Sequence, residues 1–199
     1  MKFLRVVIFL LCSCVAFAGS QSLDKIKTLV VRIEETSNIN NKKKTSEYNL
    51  KFVKPDRVRK EVISPELNKG EIYIYKGNEK TVYLPLFDQT TKEKIDSEEN
   101  DIIEAINCIL NIEKKDPEFS KKYYSGKLSE IELTNGTKIG IDKLKKVDTY
   151  LLPYRFRIYD GGSEVAVLEI KNYKINSPIA EKEFSLDDWL YNWQWDCYK

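Results

Sequence analysis

"EIYIYKGNEKTVYLPLFDQ" fills residues 71–89, and its pattern decides the class of fold. Gly77-Asn78 is turn chemistry between two runs of β-favouring residues, the signature of a hairpin. Those runs do not alternate as a strand with one wet face would. Ile72-Tyr73-Ile74-Tyr75 and Val82-Tyr83-Leu84-Pro85-Leu86-Phe87 are apolar or aromatic on both sides. Both faces of this hairpin therefore need cover. Either packed protein supplies it on each side, or one face is concave and receives an apolar molecule.

Moving outward, "KFVKPDRVRKEV" at residues 51–62 is strand-like, broken by Pro55 and loaded with cations. Leu50 and Phe52 alternate with Asn49 and Lys51, the half-buried pattern. Pro55 cannot donate to a ladder and so belongs at a strand end or rim. The sequence predicts strands over residues 28–36, 46–53, 57–63, 71–75 and 81–87. Residues 38–44 are predicted as a turn, and 22–27 as the possible start of a short helix. Later strands over 129–133 and 137–142 flank Asn135-Gly136, and those over 154–159 and 164–173 flank Asp160-Gly161-Gly162, both hairpin signals. Lys42-Lys43-Lys44 and the lysines of 143–146 read as solvated turns, with weak attraction to an anionic membrane as the alternative.

Between these β blocks lies a helix. Asp96 or Ser97 can cap it, and Glu98 and Glu99 suit its positive end. Ile102, Ile103, Ile106, Ile109 and Leu110 then form one stripe, with Asn107 and Cys108 pointing away from it. A second helix starts at Asp116-Pro117 and stops before Gly126. Strands, a helical insert and more strands make an α+β fold, its helices gathered on one face of a curled antiparallel sheet.

The 199 residues contain no histidine, which removes the commonest general base and metal ligand. Cys108 has no histidine partner, and there is no glycine-rich phosphate loop and no G-x-S-x-G elbow. Glu98-Glu99 and Asp187-Asp188 read as caps or solvated charges. No enzyme and no cofactor are expected; a binding module, a carrier or a structural envelope protein is. With 33 basic and 31 acidic residues the net charge is +2, a mixed surface that does not suit nucleic acid.

Lys2 and Arg5 precede the apolar run Val6 to Phe17, which ends in Ala16-Phe17-Ala18. Residues 1–18 therefore read as a secretory signal peptide, leaving residues 19–199 as a single exported domain. Leu11-Cys12-Ser13-Cys14 loosely resembles a lipobox, so lipidation at Cys14 is the alternative processing. Export permits a Cys108–Cys197 disulfide without requiring it.

Gly77, Tyr83, Pro85 and Gln89 form G-x5-Y-x-P-x3-Q. Lys54-Pro55-Asp56-Arg57-Val58-Arg59 looks like a basic-Pro-x-x-apolar-Arg stretch, and Pro65 follows Pro55 by ten positions. "NYKINSPIAEKEFSLD" at 172–187 is similar to a closing strand that runs into an Asn- and Phe-containing segment. Together these resemble the LolA family of periplasmic lipoprotein carriers over nearly all of the mature chain. The resemblance implies an incomplete antiparallel β-barrel with a helical lid over an apolar cavity. Its partners would be acylated lipoproteins, an inner-membrane ATP-driven exporter and an outer-membrane acceptor, and the protein would be a monomer. On that basis Ile102, Ile103, Ile106, Ile109 and Leu110 are expected to face the cavity. Leu50, Phe52, Ile74, Leu84 and Phe156 are expected opposite them. The family's lid is held by an arginine before the first motif proline; here that position is Lys54, a point charge without guanidinium's planar fork. Lys54 and Pro55 are thus the expected latch, with Arg57 or Arg59 able to supply the fork. A lipid-anchored acceptor or envelope sensor on the same fold is the alternative function. The closing "DDWLYNWQWDCYK" departs from the family pattern, and its Trp189, Tyr191, Trp193 and Trp195 are expected as an extra strand or plug, or as a membrane foot.

Overall fold

The computed structural model describes residues 20–39, 42–95, 101–115, 117–127 and 130–186. The signal-peptide reading, the caps at Asp96, Ser97 and Asp116, Cys197 and the tryptophan-rich end lie outside these residues.

Six strands precede the helices: β1 (Thr28–Ile39), β2 (Lys42–Val53), β3 (Arg57–Ser64), β4 (Ile72–Lys76), β5 (Glu79–Leu84) and β6 (Gln89–Lys94). Helices α1 (Asp101–Leu110) and α2 (Pro117–Tyr124) follow. The chain then forms β7 (Glu130–Glu132), β8 (Lys138–Val147), β9 (Tyr150–Asp160) and β10 (Ser163–Ile175). One antiparallel ten-stranded sheet results, in the order β6-β5-β4-β3-β2-β1-β10-β9-β8-β7. Every neighbouring pair is consecutive in the chain except β1 and β10, whose ladder runs from Leu29↔Ile175 to Ser37↔Ala166. The sheet curls without closing, and the helical insert joins its two edge strands across the inner face. This is an incomplete barrel with a helical lid.

Several strands are longer than the sequence predicts. The ladder of β1 and β2 continues to Ile39↔Lys42, so the turn expected over 38–44 is confined to its centre. Lys42–Lys44 are strand residues, and so are Lys143, Lys145 and Lys146, which lie in β8 beside register shifts at Lys143. An exposed strand face accepts lysine stems as readily as a turn does. The strand expected over 81–87 stops at Leu84, because Pro85–Phe87 turn as a 3-10 helix and Asp88 adopts φ 46°. β6 went unpredicted because "QTTKEK" has no apolar alternation and is exposed throughout. It is an edge strand, blunted by the ion pairs Lys80–Glu93 (2.8 Å) and Lys92–Glu79 (3.2 Å). Asn135-Gly136 does make its turn: Gly136 takes φ 87°, and the Thr137 N–H donates to Asn135 Oδ1 at 2.9 Å.

The inner face carries the main core. Leu29, Val31 and Ile33 of β1 point inward at every second position and meet Leu50, Phe52, Ile139, Ile141, Leu152 and Ile170. One end of the barrel is sealed. Leu23 and Ile26, both 0% exposed, pack there with Ile112 and Tyr123. The Leu23 N–H donates to Glu113 Oε1 at 2.9 Å, as the Tyr124 hydroxyl does from α2, and the Tyr123 hydroxyl donates to the Leu151 carbonyl at 2.9 Å.

The second face of the 71–89 hairpin is covered by the chain itself. Ile72 and Ile74 point outward and pack with Phe184 and Leu186, joined by Val53, Tyr83 and Ile179. Residues 177–186 thus lie as a strap on the convex face. Ion pairs fasten it: Lys51–Glu183 at 2.7 Å, Lys76–Glu181 at 3.2 Å and Arg57–Glu181. Beneath it Arg59 is 1% exposed and donates to the Glu183 carbonyl at 3.2 Å. Phe184→Ala should open a void under the strap at a cost of about 3 kcal/mol. A clearly lower urea midpoint in denaturation followed by circular dichroism is the expected outcome; an unchanged midpoint would mean the strap is not part of the folded core.

Candidate functional site

The core is not filled. Between α1 and the concave face of the sheet lies a cavity of about 340 Å³, at the small end of the ~300–1,000 Å³ typical of ligand pockets. The period of each element explains its lining. β1 contributes Leu29, Val31, Ile33 and Glu35 at strand spacing, and β10 contributes Ala166, Leu168 and Ile170. Helix α1 contributes Asp101, Ile102, Ala105, Ile106, Ile109 and Leu110, one helical face. Leu50, Tyr48 and Lys60 come from β2 and β3, and Ile139, Leu152, Phe156 and Ile158 from β8 and β9.

Of the residues expected to contact lipid, Leu50, Ile102, Ile106, Ile109, Leu110 and Phe156 line this cavity. Phe52 and Ile103 are buried in the same core but do not reach the cavity surface. Phe52 pairs with Leu29 and Val58 toward the sealed end. Ile74 is misassigned. Strand period two sends Tyr73 and Tyr75 inward and Ile72 and Ile74 outward, against Phe184. Leu84 sits half-buried at the end of β5, beside the edge strand and outside the lining.

Helix α1 is held at its flanks by polar contacts. Glu104 Oε1 accepts from the Thr134 N–H (2.9 Å) and hydroxyl (2.7 Å), and the Asn135 amide donates to Asp101 at 2.9 Å. At the other flank the Asn107 amide donates to the Pro55 carbonyl at 2.8 Å.

No protein-family model matches the sequence, and no curated protein matches it. Solved structures do share its architecture. A LolA superfamily protein from Nitrosomonas europaea superposes with a TM-score of 0.55 at 12% identity, over 84% of this chain and 96% of that one. The fold is LolA-like. A domain from Vibrio parahaemolyticus, assigned to outer membrane lipoprotein sorting, gives a TM-score of 0.52 at 10% identity, covering 81% of this chain and 91% of its own. A DUF1329 family protein from Desulfovibrio piger gives 0.55 at 12% identity, over 82% of this chain and 91% of that one.

Within this LolA-like frame the contact at the expected latch has the opposite polarity. The lid supplies the donor, Asn107, and the Pro55 corner supplies the acceptor. Lys54 turns elsewhere: its ammonium donates to the Asp24 carbonyl at 3.1 Å, and burial holds it below the ordinary lysine range. Arg57 and Arg59 turn away from the lid. With Val58 and Lys60 inward they must point outward, to Glu181 and to the Glu183 carbonyl under the strap. Asn107 lies beside the apolar stripe rather than on it, and that flank position is what lets it reach the corner.

The polar lining residues were missed from the sequence. Lys60 sits inward among apolar neighbours, with its ammonium 4.0 Å from the centre of the Tyr48 ring. Burial lowers its pKa, an effect partly offset by Glu35 and Glu71. Burial, with Glu35 close by, raises the Tyr48 phenol well above its usual range, and its hydroxyl donates to Glu35 at 3.1 Å. Alternation from Val58 would have placed Lys60 inward.

Asn107→Ala should loosen the lid by about 1 kcal/mol, one hydrogen bond's worth. Backbone amides of residues 101–110 should then exchange with solvent about fivefold faster, with β1 and β10 unchanged. Equal exchange in both proteins would show that this contact does not hold the helix.

Proposed function

We propose that the protein is a periplasmic carrier that shields the acyl chains of lipoproteins in its lidded cavity and delivers them from the inner to the outer membrane. The observation that supports this reading most is the unfilled apolar space between α1 and the concave sheet. Each buried methylene is worth about 0.8 kcal/mol, so a chain of about 16 carbons exposed to water costs roughly 12 kcal/mol. A carrier needs no bond-making chemistry to remove that cost. It needs apolar volume and a cover that moves. Among the described residues no helix is long and apolar enough to cross a membrane, and no cluster of metal-ligating side chains is present.

Helix α1 has the construction a lid requires. Its inner face is apolar, while its polar contacts lie at its margins, where water can replace them at modest cost. Ligand entering under Ile102 and Ile106 exchanges lid–sheet contacts for lid–ligand contacts, so the helix gives up little apolar burial. With the lid down the space is small, about 340 Å³, so loading calls for the lid to lift. An inner-membrane ATP-driven exporter would load the carrier, and an outer-membrane acceptor would empty it. Cys14 supports a second reading, a lipid-anchored acceptor or sensor on the same fold, and the mass of the mature N-terminus separates the two.

Ile106→Asp places a carboxylate where the chain would lie, and burying an unpaired charge there is prohibitive. This variant should lose binding of a triacylated lipopeptide while its β-sheet circular dichroism stays intact. Wild-type protein purified from its native envelope should carry acyl chains detectable by mass spectrometry. Normal lipopeptide binding by the variant would remove α1 from the lid role.

A further inference from the structure

The cavity is graded along its length. At the sealed end its walls are Leu29, Leu110 and Leu152, backed by the fully buried Leu23 and Ile26. Toward the opposite end the polar lining groups gather: Glu35 late in β1, Asp101 at the start of α1, Thr137 before β8, and Lys60, whose ammonium reaches Tyr48. Strand register places Glu35 and Leu29 at opposite ends of the same inward row, since Glu35 pairs with Ser46 and Leu29 with Phe52.

Lys60 is the single cation on this lining among the described residues. Its ammonium rests over the Tyr48 ring at 4.0 Å and lies 5.8 Å from the Tyr73 ring. It makes no hydrogen bond or ion pair among the described residues. The nearby carboxylates are occupied by other donors: Glu35 accepts from Tyr48 at 3.1 Å, and Glu71 from Tyr73 at 2.8 Å and Asn68 at 2.6 Å. A half-buried ammonium at the edge of an apolar space, with no acceptor among the described residues, has donors to offer a ligand. The acceptors it suits are not anionic by preference. Glu35 and Glu71 already more than balance the charge of Lys60, so the site has donors to offer but no surplus of positive potential.

We propose that Lys60, with Glu35, forms a subsite for the neutral, carbonyl-rich neck of an acyl-glyceryl group. The tail enters first toward Leu29 and Leu110. The ester carbonyls then accept from the Lys60 ammonium, and Glu35 accepts from hydroxyl or amide hydrogens of the neck. The subsite rests on the carrier reading and narrows it: esterified acyl chains are selected over free fatty acids of the same length, because a free carboxylate would sit beside Glu35.

The test is displacement of a fluorescent apolar probe, N-phenyl-1-naphthylamine, from the purified protein by two ligands with one tail, 1-monopalmitoylglycerol and palmitate. Wild type should bind the ester about tenfold more tightly than the acid. Lys60→Met should weaken the ester by about tenfold, the loss expected for a charge-assisted hydrogen bond, while the naphthylamine binds as before. Glu35→Gln should strengthen palmitate several-fold, and it tests the subsite independently should the Lys60 variant lose its fold. Undiminished ester binding by Lys60→Met, or a wild-type preference for palmitate, overturns the subsite while leaving the carrier reading in place. A wild-type protein that fails to bind the naphthylamine overturns the carrier reading, and the subsite with it.

Discussion

The pairing of β1 with β10 holds the architecture together, because it joins the two ends of the described chain. All other strand neighbours are successive hairpins, which form from local sequence. β1 also sits in the middle of the sheet, bonded on both sides over nearly its whole length. Its inward row of Leu29, Val31 and Ile33 becomes the floor of the barrel. A sheet of ten strands curled about that floor leaves more inner surface than short helices can cover. The cavity is what remains uncovered.

The convex face shows the opposite solution to the same problem. Where β2, β4 and β5 expose apolar side chains outward, the chain returns after β10 and lays Phe184 and Leu186 over them. That contact is dense enough to bury an arginine, and Arg59 finds a backbone carbonyl there. One face of the hairpin at 71–89 is thus finished by the protein itself. The inner face of the barrel is finished only in part.

Much of this was legible. The absence of alternation at residues 72–75 required cover on both sides, and the stripe from Ile102 to Leu110 marked the helix that lines the cavity. Strand boundaries were less so: β6 is polar on both faces, and β8 carries its lysines through irregular register, so neither shows a period of two. Residue type and likeness to a motif point Ile74, Arg57 and Arg59 to the site, but strand parity counted from Val58 decides which face each one takes. Parity sends all three to the convex side and Lys60 to the cavity. The role of Asn107 needed tertiary structure, since no local pattern tells which carbonyl an amide on a helix flank will meet.

The insert that carries α1 leaves the sheet at β6 and rejoins it at β7, and these are the two free edges of the unclosed barrel. The chain thereby runs like a drawstring across the slit. The helix that faces the cavity is therefore tethered to both lips of the slit rather than to one.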